Sequence, residues 1–445
     1  MPAVPAVPAR TVPGTGGPGR CIPDVIRRWL AVAVLASACT AAVPPPGPEE
    51  LIVSEGLSTL VLDAKTGATV RNLPEGVLSP TKDAIVSLTS SPLICGTRIP
   101  SEPCTVAAAH DLQGNRLAVW TLNGTYALPA TYGPAASGFS PNGKWLVLVK
   151  RDVVLSTFAV LDLSSLGGPS SPDVPRTRES VEIRTPKEVV LSSRFSFDAI
   201  HNDGGALYLI EHPVAGSTAY NVRLYEVNAK RLVPEPIFDQ KQLVALDPTK
   251  GLMDGAFHAS VAPVGGQWSY GLYVGRNGRP FVHALNVAAR YATCIVDLPG
   301  TRTGSSMLAL ALTPDAKRLF VSDTGTGTVS EIDAETQKVR RSGSFVGRGG
   351  TGDGSRALAV VSPDGSRLYA TASRGIAVLD TAGLSLRSWA APELAVTALA
   401  LSADGSRLYA LAAGSLHVIE TSSGRPLAAF ALPSSARAIS TVTVR

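Results

Sequence analysis

LAVVSPDGSRLYATASRGIAVLDTAG, residues 358–383, decides the fold. A short apolar run ends at Ser362-Pro363-Asp364-Gly365. Pro suits the second position of a tight turn, Asp the third, and Gly can take the positive φ that closes a hairpin. A second strand follows, RLYATA, with Leu368 and Ala370 on one face and Arg367 and Tyr369 on the other. A third, GIAVLD, ends in an acidic residue and a Gly-containing turn, and a weaker fourth completes the unit. The same order reads in LALSADGSRLYALAAGSLHVIETSSG (399–424) and LALTPDAKRLFVSDTGTGTVSEIDAETQ (310–337). Four short strands in a repeat of about 40–50 residues form the pattern of a β-propeller blade.

The residue that ends each third strand counts the blades. Asp63, Asp111, Asp162, Glu226, Asn286, Asp333, Asp380 and Glu420 occupy that position, at spacings of 48, 51, 64, 60, 47, 47 and 40. The expected fold is therefore all-β, a single propeller over residues 50–445 with eight blades, or seven if one central unit is irregular. Leu51 already reads as a second strand, whereas residues 438–444 (AISTVTV) read as a first. Pairing the two ends closes the ring and removes a free sheet edge.

The SPDGxRLYA units and the VxVID-type strands after them resemble the YVTN and WD-type bacterial β-propellers, most clearly after residue 305. These motifs specify turns and strand pairing, so the resemblance implies a fold and no activity. FSFDAIHNDGGALYLIEHP (195–213) and PFVHALNVAARYATCIVDLP (280–299) are similar to exported bacterial propellers.

The N-terminus reads as an address. Arg27-Arg28 precede the apolar run Trp29–Ala36 and then Ser37-Ala38-Cys39, the order of an export signal. Eight apolar residues fall far short of the ~20 that span a bilayer as a helix. Ala36-Ser37-Ala38-Cys39 resembles the lipobox of bacterial lipoproteins, with Ala36 where Leu is usual. The resemblance implies lipidation at Cys39; the alternative is plain signal cleavage nearby. A product starting near Val25 would carry the compact signal VIRRWLAVAVLASAC. Residues 1–39 are thus read as signal peptide and 40–49 as a Pro-rich tether, extended at ~3 Å per residue. The expected location is extracytoplasmic, at the cell membrane, the cell surface or in the periplasm.

Composition narrows the partners. The chain has 445 residues, 17% charged and 45% hydrophobic, with 42 Gly and 34 Pro. That balance excludes wholesale disorder and suits a turn-dense fold. Of the formal charge of +5, residues 1–39 supply +3, leaving 36 basic against 34 acidic side chains. No surface basic enough to dominate phosphate binding follows, which argues against a nucleic-acid partner.

No motif declares a reaction. Leu62 to Gly67 (LDAKTG) imitates the start of the docking repeat AxDxxTGxxxW of quinone-cofactor dehydrogenases, but Asn72 and Leu73 stand where its Trp falls. The six histidines (His110, His201, His212, His258, His283, His417) show no metal-ligand spacing. His110, His283 and His417 lie in third strands, where packing is the expected role. No GxSxG elbow occurs. The densest polar constellation is FDAIHNDGG, 197–205, in which Asp198, His201 and Asp203 either converge on a cation or act as turn residues in the SPDG slot. Cys95 and Cys104 are expected to form a disulfide within the connection between the second and third strands of the second blade, with Cys294 a buried thiol.

Length variation gathers in residues 89–104, 123–134, 212–220, 236–256 and 346–355, which join second to third strands or one blade to the next. These share one face, the SPDG-type turns the other. Tyr126, Tyr132 and Tyr220 are read there as contact aromatics. The functional expectation is a monomeric module that binds a small molecule or a protein, with no cofactor. The alternative is an extracytoplasmic propeller enzyme, either a lactonase-type hydrolase or an oxidoreductase.

Overall fold

The computed structural model describes residues 48–90, 103–129, 138–166, 181–214, 218–237, 253–299, 307–348 and 357–443, backbone only at 293–295 and 443. Among them every regular element is a β-strand, and the strands fall into eight sheets. The stretch 358–383 supplies the seventh: Ala359–Val361, Arg367–Thr371 and Ile376–Asp380, completed by Ser385–Ala390, antiparallel in chain order. Its turn closes as the residue types require. Gly365 has φ +70° and donates its N–H to the Ser362 carbonyl at 2.8 Å. Asp364 accepts hydrogen bonds from the Ser362 hydroxyl at 2.5 Å and the Ser366 amide at 3.0 Å. These hold its carboxyl down at about 2. Ser402-Ala403-Asp404-Gly405 repeats the device in the eighth blade.

Each of the eight residues used to count blades is the last residue of a third strand. The irregularities lie in the lengthened central units. The inner position of blade 3 is filled by residues around Phe139, which bridges to Leu146. The connection after the third strand of blade 3 lends Glu182–Arg184 as a parallel strand on the outer edge of blade 2. The ring closes through Ala438–Thr443, the inner strand of blade 1, paired antiparallel with Glu49–Ser54. Blade 8 adds hydrogen bonds from the Tyr409 hydroxyl (2.9 Å) and the Ala403 amide (2.8 Å) to the Glu49 carboxylate. On the other side, Lys82 of blade 2 donates to the Thr441 carbonyl at 2.9 Å.

The core is distributed over the seams. Eight apolar clusters occupy the junctions of successive blades, including one between blade 8 and blade 1. Leu368 packs toward blade 6 and Tyr369 toward blade 8, so the alternation of the second strand separates two buried faces. Water is met mainly by the fourth strands, such as Lys338–Ser344 and Pro426–Ala431. Second-strand tyrosines also latch blades together: the Tyr208 hydroxyl donates to the Val287 carbonyl (2.5 Å) and that of Tyr270 to Ala334 (2.8 Å).

Two expectations need correction. Cys104 is not in a loop; it opens the third strand, Cys104–Asp111, where it is buried and disulfide-bonded. Its expected partner Cys95, like Cys39, Tyr132 and the Cys294 side chain, lies outside the described residues. Tyr126 and Tyr220 are not surface aromatics. Both are buried, because each lies where chain re-enters a blade and its ring fills a seam. The Tyr126 hydroxyl donates to Glu188 at 3.0 Å.

Candidate functional site

The fourth and fifth blades share a local sequence feature. Their inner strands, Phe195–Ile200 and Ala256–Val261, carry Phe197-Asp198-Ala199 and Phe257-His258-Ala259, 60 residues apart. Each triplet holds a register shift, which bulges the polar middle residue out of the ladder. A bulge re-aims a side chain that regular alternation would commit to one seam. Both polar groups therefore belong to innermost strands, beside the axis of the ring.

Asp198 sits in the seam between blades 4 and 5. Among the described residues nothing donates to its Oδ2, which is fully covered, while the residue as a whole stays partly exposed. Burial pushes its carboxyl up to about 7. Tyr273 is close enough to feel that charge: burial first, then Asp198, raises its hydroxyl far above the usual tyrosine range. The Tyr273 ring stacks on Tyr220 (5.2 Å) and Phe281 (5.4 Å) and meets Phe257 edge-on (5.4 Å). His283 lies tilted at 6.2 Å from Tyr273, and His212 at 6.4 Å from Tyr220. Nδ1 of His212 is covered and meets no partner among the described residues. Gly271 makes the arrangement possible: a Cβ there would come within 2.8 Å of the Tyr273 ring. His258, the counterpart of Asp198, has turned to the next blade, with Nε2 2.8 Å from the Leu308 carbonyl.

The cluster has a definite height in the blade. Phe257 lies near the start of a first strand, Tyr273 near the end of a second, and Tyr220 and Phe281 near the start of third strands. Those ends face the second-to-third and inter-blade connections. The variable segments 89–104, 123–134, 212–220, 236–256 and 346–355 all join strands in these two ways. The aromatic cluster thus occupies the half of the seam nearest that face, while Asp198, fourth of the six residues of its strand, lies at mid-height.

The other two members of the sequence constellation are elsewhere. His201 and Asp203 belong to the turn at the opposite end of the strand, with Nδ1 and Oδ1 2.5 Å apart. Partial burial pulls the Asp203 carboxyl up, but hydrogen bonds from His201 and the Gly205 amide outweigh it and hold the group below its usual range. Asn202 ties three turns together: it accepts from the Asn142 amide of blade 3 (2.9 Å) and donates to the Gly266 carbonyl of blade 5 (2.9 Å). Gly204, at φ +70°, lies flat on the Trp145 ring, where a Cβ would stand 2.3 Å away. The structure therefore separates Asp198 from a structural His201–Asp203 turn. Among the described residues no group of three His, Cys, Asp or Glu side chains is placed to hold a metal ion.

Of the third-strand histidines, His110 and His283 are buried and His417 is partly exposed. His110 is buried in blade 2, Nε2 3.2 Å from the Ser87 hydroxyl, and burial lowers its pKa. Sequence reasoning singled out Asp198 but missed Tyr273, which its charge reaches, and the rings packed on Tyr273. The available signal was the pair of Phe-polar-Ala triplets at the same 60-residue spacing as Glu226 and Asn286.

The fold is similar to solved structures of AztD from Citrobacter koseri. The apo form is 13% identical, with a TM-score of 0.55 over 89% of this chain and 98% of that one. A second crystal structure is 12% identical, with a TM-score of 0.54 over 90% and 99%. The dihydro-heme d1 dehydrogenase NirN, solved in complex with DHE, is 11% identical at a TM-score of 0.48 over 86% and 73%. At these identities the likeness is one of fold alone. No family model matches the chain, and no curated protein matches its sequence.

Proposed function

We propose that this chain is an extracytoplasmic binding propeller, anchored through a lipid on Cys39, that takes a small-molecule ligand against Asp198 in the seam between blades 4 and 5. The observation that carries this reading is the covered, unpartnered Oδ2 of Asp198 on an innermost strand. A desolvated carboxylate without a donor lowers stability by roughly 1–3 kcal/mol or more. Such groups concentrate where a protein acts. The variable connections at the end of the seam where the aromatic cluster lies support it, because rigid blades holding adaptable loops are a common arrangement for recognition. Export draws support from the basic-apolar-small order of residues 27–39 and from the disulfide at Cys104, a bond that persists in oxidising compartments.

The test is a thermal-shift screen of small molecules against the parent protein and Asp198→Asn. A ligand of this site raises the melting temperature of the parent and not of the variant, since only binding to the folded state stabilises. If every stabilising compound acts equally on both proteins, Asp198 is not part of a binding site.

A further inference from the structure

The chemistry around Asp198 selects a class of ligand. We propose that the seam between blades 4 and 5 binds an organic ammonium ion, its charge against the Asp198 carboxylate and its carbon substituents against Tyr220, Tyr273, Phe257 and Phe281. The inference rests on the binding reading above and deepens it.

Three features lead there. First, Asp198 has an acceptor atom with no donor among the described residues, so a ligand that brings a positive charge or an N–H relieves its desolvation. Second, the Asp198 charge is felt at Tyr273, which belongs to an aromatic cluster. Tyr273 is centred within 5.2–5.4 Å of Tyr220, Phe257 and Phe281. Aromatic faces attract cations, most strongly once water is excluded, and suit ammonium groups that carry hydrocarbon. Third, a metal ion is poorly provided for, since hard cations need several oxygen donors and zinc three or four ligands. The described residues hold no such set.

The same geometry makes binding depend on pH. Only the ionised carboxylate attracts the cation, and burial sets that ionisation at about 7. The other titratable groups of the cluster are Tyr220, His212, His258, His283 and Tyr273, the last of which burial keeps neutral. Protonating any of the histidines would also oppose a cation, so the variants must separate the contributions. With the carboxylate alone responsible, the ionised fraction falls from about 0.9 at pH 8 to about 0.03 at pH 5.5, a roughly thirtyfold loss of apparent affinity.

Calorimetric titration of the purified protein with choline, and with its neutral isostere 3,3-dimethylbutan-1-ol, tests this. The expected result is that choline binds and the alcohol does not, that affinity falls roughly thirtyfold from pH 8 to pH 5.5, and that Asp198→Asn abolishes both binding and pH dependence. His212→Gln should retain the pH dependence, and Tyr273→Leu should weaken choline at every pH. Equal binding of the alcohol would overturn the proposal, because the seam would then be a plain apolar pocket. Zinc or calcium binding that needs Asp198, with none by choline, would overturn the ligand class and leave the site standing. If no cation binds in an Asp198-dependent way and the thermal-shift screen also finds nothing, both readings fall together.

Discussion

Asp198 binds its proton more tightly in the folded chain than in the unfolded one, about 7 against an ordinary 3.8. Between those values the folded state carries the extra proton, so this residue's contribution to stability falls as pH rises through the window and levels off above it. Asp198→Asn removes the dependence. It should unfold like the parent near pH 4 and be more stable at pH 8, by up to about 4 kcal/mol for a shift of some three units. Urea titrations at the two pH values check this; a difference that does not change with pH would mean the carboxylate is not desolvated. The residue was visible in the sequence, but only as a neighbour of His201 and Asp203 in a turn-like segment. Its separation from them depends on the bulge at 197–199 and on rings delivered by blade 5, and no local pattern encodes either.

At the scale of elements, the repeat carries its own fastenings between blades. Arg318 of blade 6 donates to the Gly365 carbonyl of blade 7 at 2.6 Å, and Arg367 of blade 7 donates to the Thr421 carbonyl of blade 8, also at 2.6 Å. In blades 6 and 7 the arginine that follows the SPDG-type turn is thus a cross-seam donor, although in the sequence it reads only as a polar residue on an alternating strand. Arg367→Met keeps the apolar stem and leaves the Thr421 carbonyl without this donor. It should cost about 1.5–3 kcal/mol in urea unfolding, the usual size for a hydrogen bond to a charged donor. A second element-scale expectation concerns Cys104, at the start of a third strand. If Cys95 is its partner, thiol labelling of the denatured, unreduced exported protein should find one free cysteine, Cys294. Three would refute the pairing.

At the scale of the molecule, closure is the test of the ring. Deleting 437–445 removes the inner strand of blade 1 and with it the ladder to Glu49–Ser54. It also strips part of the cluster that joins blades 1 and 8, where Ile439 is buried. Aggregation, or a melting temperature lower by roughly 10 °C or more, is expected, because an unpaired edge next to an apolar seam is a template for association. A deletion that melts like the parent would show that the closing strand contributes little. The proposed anchor is tested at the same scale: with a lipid on Cys39, Cys39→Ser should move the protein from the membrane to the soluble exported fraction. Unchanged membrane retention would exclude lipidation at that residue.

Turn chemistry and period were enough to define the blades. Pro, Asp and Gly at fixed turn positions, and an acid, or in one blade Asn, at the end of each third strand, are local preferences that act wherever they occur. The eight-fold count and the pairing of the two chain ends could therefore be read directly from residues. What lay beyond that reading was which face of each strand meets which neighbour. In a ring of blades the two faces of a middle strand are both buried, so alternation no longer sorts core from surface; it sorts one seam from the next. Tyr126 and Tyr220, read as loop aromatics, were misjudged because the chain re-enters a blade there and their rings fill seams. Asp198 became a candidate site only because a bulge in blade 4 and a glycine at 271 in blade 5, 73 residues apart in the chain, place a carboxylate beside an aromatic cluster. Local preference acts through near neighbours in the chain, and a desolvated charge is made by neighbours in space.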